Sequence, residues 1–192
     1  MAQEILQTAL HLFAEHGYEE TSIALIAREA GVSERTVFRY FGTKEDLVGG
    51  DQHEFARILA DAVDDHSADA DVWAALRAGI AAVQALHSSR EDALERFRLL
   101  HATAALRAGW LEKRLRIQEE LLPLVTARLG PAGEATELTA RAVIATVFAC
   151  LDAASTTWVA RDGQGEIMDL YDECVATVRG LSARADQSEE SD

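Results

Sequence analysis

Apolar residues recur at spacings of three and four along nearly the whole chain, and the every-second-residue alternation of a half-buried strand is absent. Ala2, Ile5, Leu6, Ala9, Leu12 and Phe13 form one helical face that stops at Gly17. Ser22 is placed to cap a short second helix with Ile23, Ile26, Ala27 and Ala30 turned inward, and Gly31 breaks it. Ser33 caps a third helix over Glu34–Phe41, which Gly42 ends. Thr43 and Asp46 stand in capping-box spacing at the start of a fourth, whose apolar face continues through Phe55, Ile58, Leu59 and Ala62 with Gly49 and Gly50 inside it. Longer helices follow. Val72, Leu76, Ile80 and Val83 mark a fifth; Leu94, Phe97 and Leu100 a sixth. Leu111, Leu115, Leu122, Val125 and Leu129 mark a seventh, in which Pro123 removes a ladder donor and is expected to kink the helix. Gly130-Pro131 stops it, an eighth runs from Glu134 to Ala160, "RDGQGE" turns the chain, and Ile167, Leu170, Tyr171, Cys174, Val178 and Leu181 mark a ninth. The pattern predicts an all-α fold of about nine helices.

The second and third helices, joined by "AGVS", make a helix-turn-helix, whose second helix can enter a DNA major groove. Val37 and Phe41 are four apart and must face the first two helices, which leaves Arg35, Thr36, Arg39 and Tyr40 on the wet face. Arginine can read guanine through two hydrogen bonds, and threonine offers a hydroxyl and a methyl to base edges. Tyr40, Lys44 and the helix start at Ser22 can reach phosphates, and Ser33 joins the candidate DNA-binding set. Charge sharpens this picture. The chain of 192 residues has 18 Lys+Arg against 33 Asp+Glu, net −15, which disfavours non-specific attraction to nucleic acid. Yet Arg28, Arg35, Arg39 and Lys44 concentrate within residues 28–44, against Glu29 and Glu34. The organisation expected is a three-helix helix-turn-helix DNA-binding domain over 1–46, a larger helical effector-binding and dimerisation domain over 47–184, and a disordered polar tail over 185–192.

Residues 5–47, "ILQTALHLFAEHGYEETSIALIAREAGVSERTVFRYFGTKEDL", resemble the DNA-binding domain of the TetR family of bacterial transcriptional regulators. The recurrent family pattern "LF…GY..TS…IA..AGVS..T.F.YF..K..L" is filled at every quoted position. The resemblance implies a homodimer, usually a repressor, whose C-terminal domain binds a small-molecule effector that controls affinity for double-stranded operator DNA. It carries base and phosphate contacts onto Ser22, Thr36, Phe38, Tyr40 and Lys44, and places Arg35 and Arg39 where operator choice is made. In one respect the chain departs from many relatives: it starts almost at the first helix, without a basic arm, and residues 1–50 hold 4 basic and 8 acidic groups. Less sequence-independent affinity is expected as a result. The segments "RLRIQEELLPLVTARLG" and "VFACLDAASTTWVA" resemble actinobacterial TetR-type regulators with an acyl-CoA-like ligand-binding domain, the mycofactocin-associated group among them. This implies a lipophilic or acyl-type effector.

In the C-terminal region Phe97, Arg98, His101, Trp110, Phe148 and Trp158 are candidate pocket residues, each of which could equally be core. Asp152 interrupts an apolar helix and needs a partner, either an arginine or the effector. Ala142, Ala145, Ala149 and Ala153 form a small-residue stripe that would let another helix approach; with Leu170, Cys174 and Val178 it is the candidate two-fold interface. The alternative is that the stripe packs against the seventh helix of the same subunit. Cys150 and Cys174, the only cysteines, show no paired spacing and read as buried thiols of a cytoplasmic protein. The six histidines have no metal spacing, "DGQGE" is too short for a calcium loop, and neither HExxH nor a P-loop occurs, so no metal, cofactor or enzyme activity is expected. The longest apolar run, residues 142–151, is too short to span a bilayer, and no membrane partner is expected. A different class of function also fits: a helical ligand-binding protein whose DNA-binding head has little activity.

Overall fold

The computed structural model describes residues 1–49, 52–65, 71–86, 89–131 and 133–189, with side chains as far as residue 180. Its helices are α1 (Ala2–His16), α2 (Ile23–Glu29), α3 (Glu34–Phe41), α4 (Lys44–Gly49), α5 (Gln52–Asp65), α6 (Val72–Gln84), α7 (Arg90–Ala102), α8 (Ala104–Leu129), α9 (Glu134–Ala160) and α10 (Ile167–Glu189). They correspond to the nine expected, the fourth being described as α4 and α5 on either side of residues 50–51. Gly50 therefore lies outside the described residues, as do residues 190–192 of the expected tail; the α10 backbone itself continues to Glu189. The sixth and seventh helices meet at Thr103, so α8 begins at Ala104, ahead of the first apolar mark at Leu111, and carries Pro123 within it.

Local chemistry shapes the N-terminal head. The Ser22 hydroxyl accepts from the Leu25 N–H at 3.1 Å and the Ser33 hydroxyl from the Thr36 N–H at 3.2 Å, each satisfying a donor that the first helical turn leaves open. Gly31 (φ 67°) and Gly42 (φ 69°) reverse the chain after α2 and α3 in the left-handed region, where a Cβ is costly. Buried Ile5, Ala9, Phe13, Ile26, Val37 and Leu47 fill the head's core. Each of these side chains except Ala9 contributes about 1.5–3 kcal/mol of burial.

The larger body is a helical layer packing in which α9 lies against α8 and α10, and α5 against α6 and α8. Gly79 lets α5 and α6 approach closely, because a Cβ there would lie 2.8 Å from Leu59 Cδ2. α9 is long and apolar enough by length and composition to cross a membrane, but Val143, Ile144, Val147, Phe148, Leu151 and Trp158 are buried among neighbouring helices, as in a core helix. Head and body are not independent. Leu100 of α7 and Leu106 of α8 belong to the head's core, and Phe97 and Trp110 pack against both cores.

Candidate nucleic-acid interface and effector cavity

On α3 the residues separate by face as their spacing requires. Val37 is 1% exposed, whereas Phe38 and Tyr40 are 48% and 43% exposed, unusual for aromatic side chains without a partner surface. Arg35 and Arg39 are exposed beside them, and the Arg39 guanidinium lies 5.0 Å from the Tyr40 ring centroid. Thr36 is half-buried, its hydroxyl 2.9 Å from that of Ser33. Ser22 is exposed at the start of α2. Most of the candidate DNA-facing residues are thus accessible, with one qualification. The Lys44 ammonium turns back into the protein, donating to the carbonyls of Tyr18 at 2.9 Å and Thr21 at 3.3 Å and lying 4.1 Å from the Tyr18 ring centroid. It ties the start of α4 to the loop before α2, and one of its three protons is left for a phosphate. Tyr18 is held in turn by Glu45, to which its hydroxyl donates at 2.9 Å; burial first, then this carboxylate, pushes the phenol's pKa up.

Deeper in, a cavity of about 270 Å³ opens between α4–α9. Leu59, Ile80, Phe97, Trp110, Phe148 and Leu151 supply its apolar walls. Its polar side carries Gln84, Arg96, His101, Arg107, Asp152 and Ser155. Of the residues expected from sequence, Phe97, His101, Trp110, Phe148 and Asp152 line it. Arg98 and Trp158 do not. Arg98 points outward to Asp162 at 2.8 Å, and Trp158 is 3% exposed, donating from Nε1 to the Gly165 carbonyl at 3.1 Å and packing edge-on against Phe97. Asp152 has the arginine partner, Arg114 of α8, whose Nε is buried with no hydrogen-bond partner.

Sequence reasoning missed Arg96. It lies on the α7 stripe defined by Ala93 and Leu100, where an arginine is out of place, and that was the available signal. Its Nε donates to the Val48 carbonyl at the end of α4 at 3.0 Å, and burial draws its pKa down to about 10, which leaves it charged near neutrality. Among the described residues there is no cluster of three or more metal-ligating side chains.

The candidate interface residues Ala142, Ala145, Ala149 and Ala153 are all exposed, on the side of α9 away from its buried face, and Leu138 on the same helix is 68% exposed. They do not pack against α8. Leu170 and Cys174 are half-buried against the body's core, and Val178 is exposed.

A helix-turn-helix head joined through shared aromatics to a helical body with an internal cavity defines a one-component DNA-binding regulator. Residues 5–49 match the tetR family of bacterial regulatory proteins, and residues 70–181 match the MftR C-terminal domain. The chain belongs to the TetR family of transcriptional regulators, with a C-terminal domain of the MftR type, and these are not enzymes. A Mycobacterium tuberculosis (strain H37Rv) protein named for regulating mycofactocin biosynthesis, MftR, is 28% identical over 183 residues, 95% of this chain and 86% of its own length. The fatty acid metabolism regulator protein of Bacillus subtilis (strain 168) is 26% identical over 174 residues, 87% of this chain and 88% of its own. The crystal structure of the B. subtilis transcriptional regulator FadR with stearoyl-CoA shares the fold, with a TM-score of 0.56 at 21% identity over 92% of this chain and 96% of that one.

Proposed function

We propose that this regulator is a repressor that grips a palindromic operator as a homodimer and releases it when an acyl-type effector enters the cavity. The single observation that carries the reading is that Phe97 and Trp110 line the cavity while packing against both the head core and the body core. Anything that displaces these rings moves the head. The lining suits an amphipathic anion, with apolar walls for a chain and Arg96 and Arg107 for its charged end. About 270 Å³ lies at or below the lower end of ordinary ligand pockets, roughly 300–1,000 Å³, so a medium-length acyl chain fits inside and a bulky carrier group stays at the mouth. The fatty-acid regulators among the relatives support the same class. The exposed alanine stripe of α9 supports the two-fold, and two heads would then read half-sites about 34–36 Å apart, or a multiple of that. The protein acts where the chromosome is, in the cytoplasm.

Gel shifts with the DNA flanking the gene, with and without acyl-CoAs of graded length, test this. Retarded DNA that a medium-chain acyl-CoA frees is the expected outcome. A second reading, a ligand-binding protein with a feeble head, draws on the excess of acidic groups in residues 1–50 and on the inward turn of Lys44. It predicts acyl-CoA binding with no retarded DNA at low salt.

A further inference from the structure

Asp46 sits at a junction. Its Oδ2 accepts from the Thr43 N–H at 3.0 Å and from the Thr43 hydroxyl at 2.8 Å, while the Asp46 N–H donates back to the Thr43 hydroxyl at 3.2 Å. This closed cap fixes the start of α4, one residue beyond the Gly42 turn that ends the recognition helix α3. The other oxygen, Oδ1, pairs with the ammonium of Lys113 on α8. Both partners are largely withdrawn from water, at 16% exposure for Lys113 and 22% for Asp46, unlike the ion pairs at the surface, so losing either one strands a charge. Three residues before Lys113 on the same face of α8 is Trp110, a wall of the cavity. The two side chains lie together over the bare backbone of Gly49: a Cβ placed there would be 3.8 Å from Lys113 Nζ and 3.9 Å from Trp110 Cε3. Around them is room to move. A cleft of about 800 Å³, lined by Phe38, Tyr40, Asp46, Leu86 and Lys113 among others, separates the end of α3 from the body.

We propose that Lys113 and Asp46 are positioning residues that form a latch, transmitting displacement of Trp110 to the cap between α3 and α4 and so setting the angle of the recognition helix. The proposal rests on reading the cavity as the effector site, but it concerns the link and not the identity of the ligand. When Trp110 moves, the turn of α8 that carries Lys113 moves with it, and among the described residues the oxygen on which Lys113 pulls belongs to the carboxylate that caps α4. Arg96 holds the other end of the same helix through the Val48 carbonyl. A short helix gripped at both ends from α7 and α8 follows them as a rigid strut.

The test needs no effector. Amide hydrogen exchange of residues 46–49 is measured in the full chain for Lys113→Met, Trp110→Phe and the double variant, with the α9 amides as the control for global folding. Lys113→Met is expected to speed exchange of the α4 amides about tenfold, and Lys113→Arg to restore most of the protection. Trp110→Phe is expected to speed it severalfold with Lys113 present and by less than about twofold without it, because the route has already been cut. Asp46→Asn, which keeps a capping oxygen but not the charge, gives the same pattern should Lys113→Met fold poorly. Additive effects of the two substitutions, or α4 amides indifferent to Lys113→Met, would overturn the latch.

Discussion

His101 Nε2 lies 3.2 Å from the Ser155 hydroxyl, and that hydroxyl donates its single proton to the Asp152 carbonyl at 3.0 Å. The imidazole must therefore be the donor to Ser155, with its proton on Nε2. Burial lowers the pKa of His101, opposed by Asp152 and assisted by Arg107, so the folded chain favours the neutral ring. In the unfolded chain the ring returns to about 6.5. Between the two values the unfolded state binds more protons, so stability falls as pH drops below about 6.5, and the loss is complete once pH lies under the folded pKa. His101→Gln keeps a donor for Ser155 and removes the titration. Urea unfolding at a series of pH values should show a weaker acid dependence in that variant than in wild type.

On the recognition face, Arg39→Ala is expected to cost about 1–3 kcal/mol of specific operator binding, with little change in melting temperature, as for a base-reading arginine. Lys44 is different, because its ammonium already holds the Tyr18 and Thr21 carbonyls. Lys44→Met should lower the melting temperature of the protein and weaken operator binding at every sequence. If the residual proton also serves a phosphate, the slope of log affinity against log salt flattens by about one; an unchanged slope assigns Lys44 a purely structural part.

The head was legible because its signals are local. Ser22, Ser33, Thr43, Gly31 and Gly42 each dictate a backbone event within a few residues, and Val37 and Phe41 orient the whole of α3. The cavity was only partly legible, since six helices meet there and no short pattern encodes their meeting. Arg96 and Arg98 illustrate the difficulty. Two positions apart on α7, they point in directions about 160° apart. Sequence reasoning chose the one that pairs with Asp162 at the surface over the one that lines the cavity. The Lys113–Asp46 pair, 67 residues apart, carried no sequence signal at all.

Assembly is tested on α9. Ala149 is exposed in the middle of the stripe, so Ala149→Glu leaves the body's core untouched. Light scattering should report monomers with wild-type helicity, and operator binding should be lost. A folded dimer carrying this substitution would move the interface elsewhere.

Gly49→Ala probes the end of α4. The new methyl would make ordinary contact with Trp110 and Lys113, and alanine is the better helix former by about 1 kcal/mol. Thermal unfolding should show a small stabilisation.

Coupling of the cavity to the operator through the protein is open to direct measurement. Isothermal titration of a medium-chain acyl-CoA into the protein, alone and saturated with operator DNA, measures this directly. Operator is expected to weaken acyl-CoA binding by about 5–150-fold, and acyl-CoA to weaken operator binding by the same factor, since a coupling free energy is reciprocal. Equal acyl-CoA affinity with and without bound operator would contradict it.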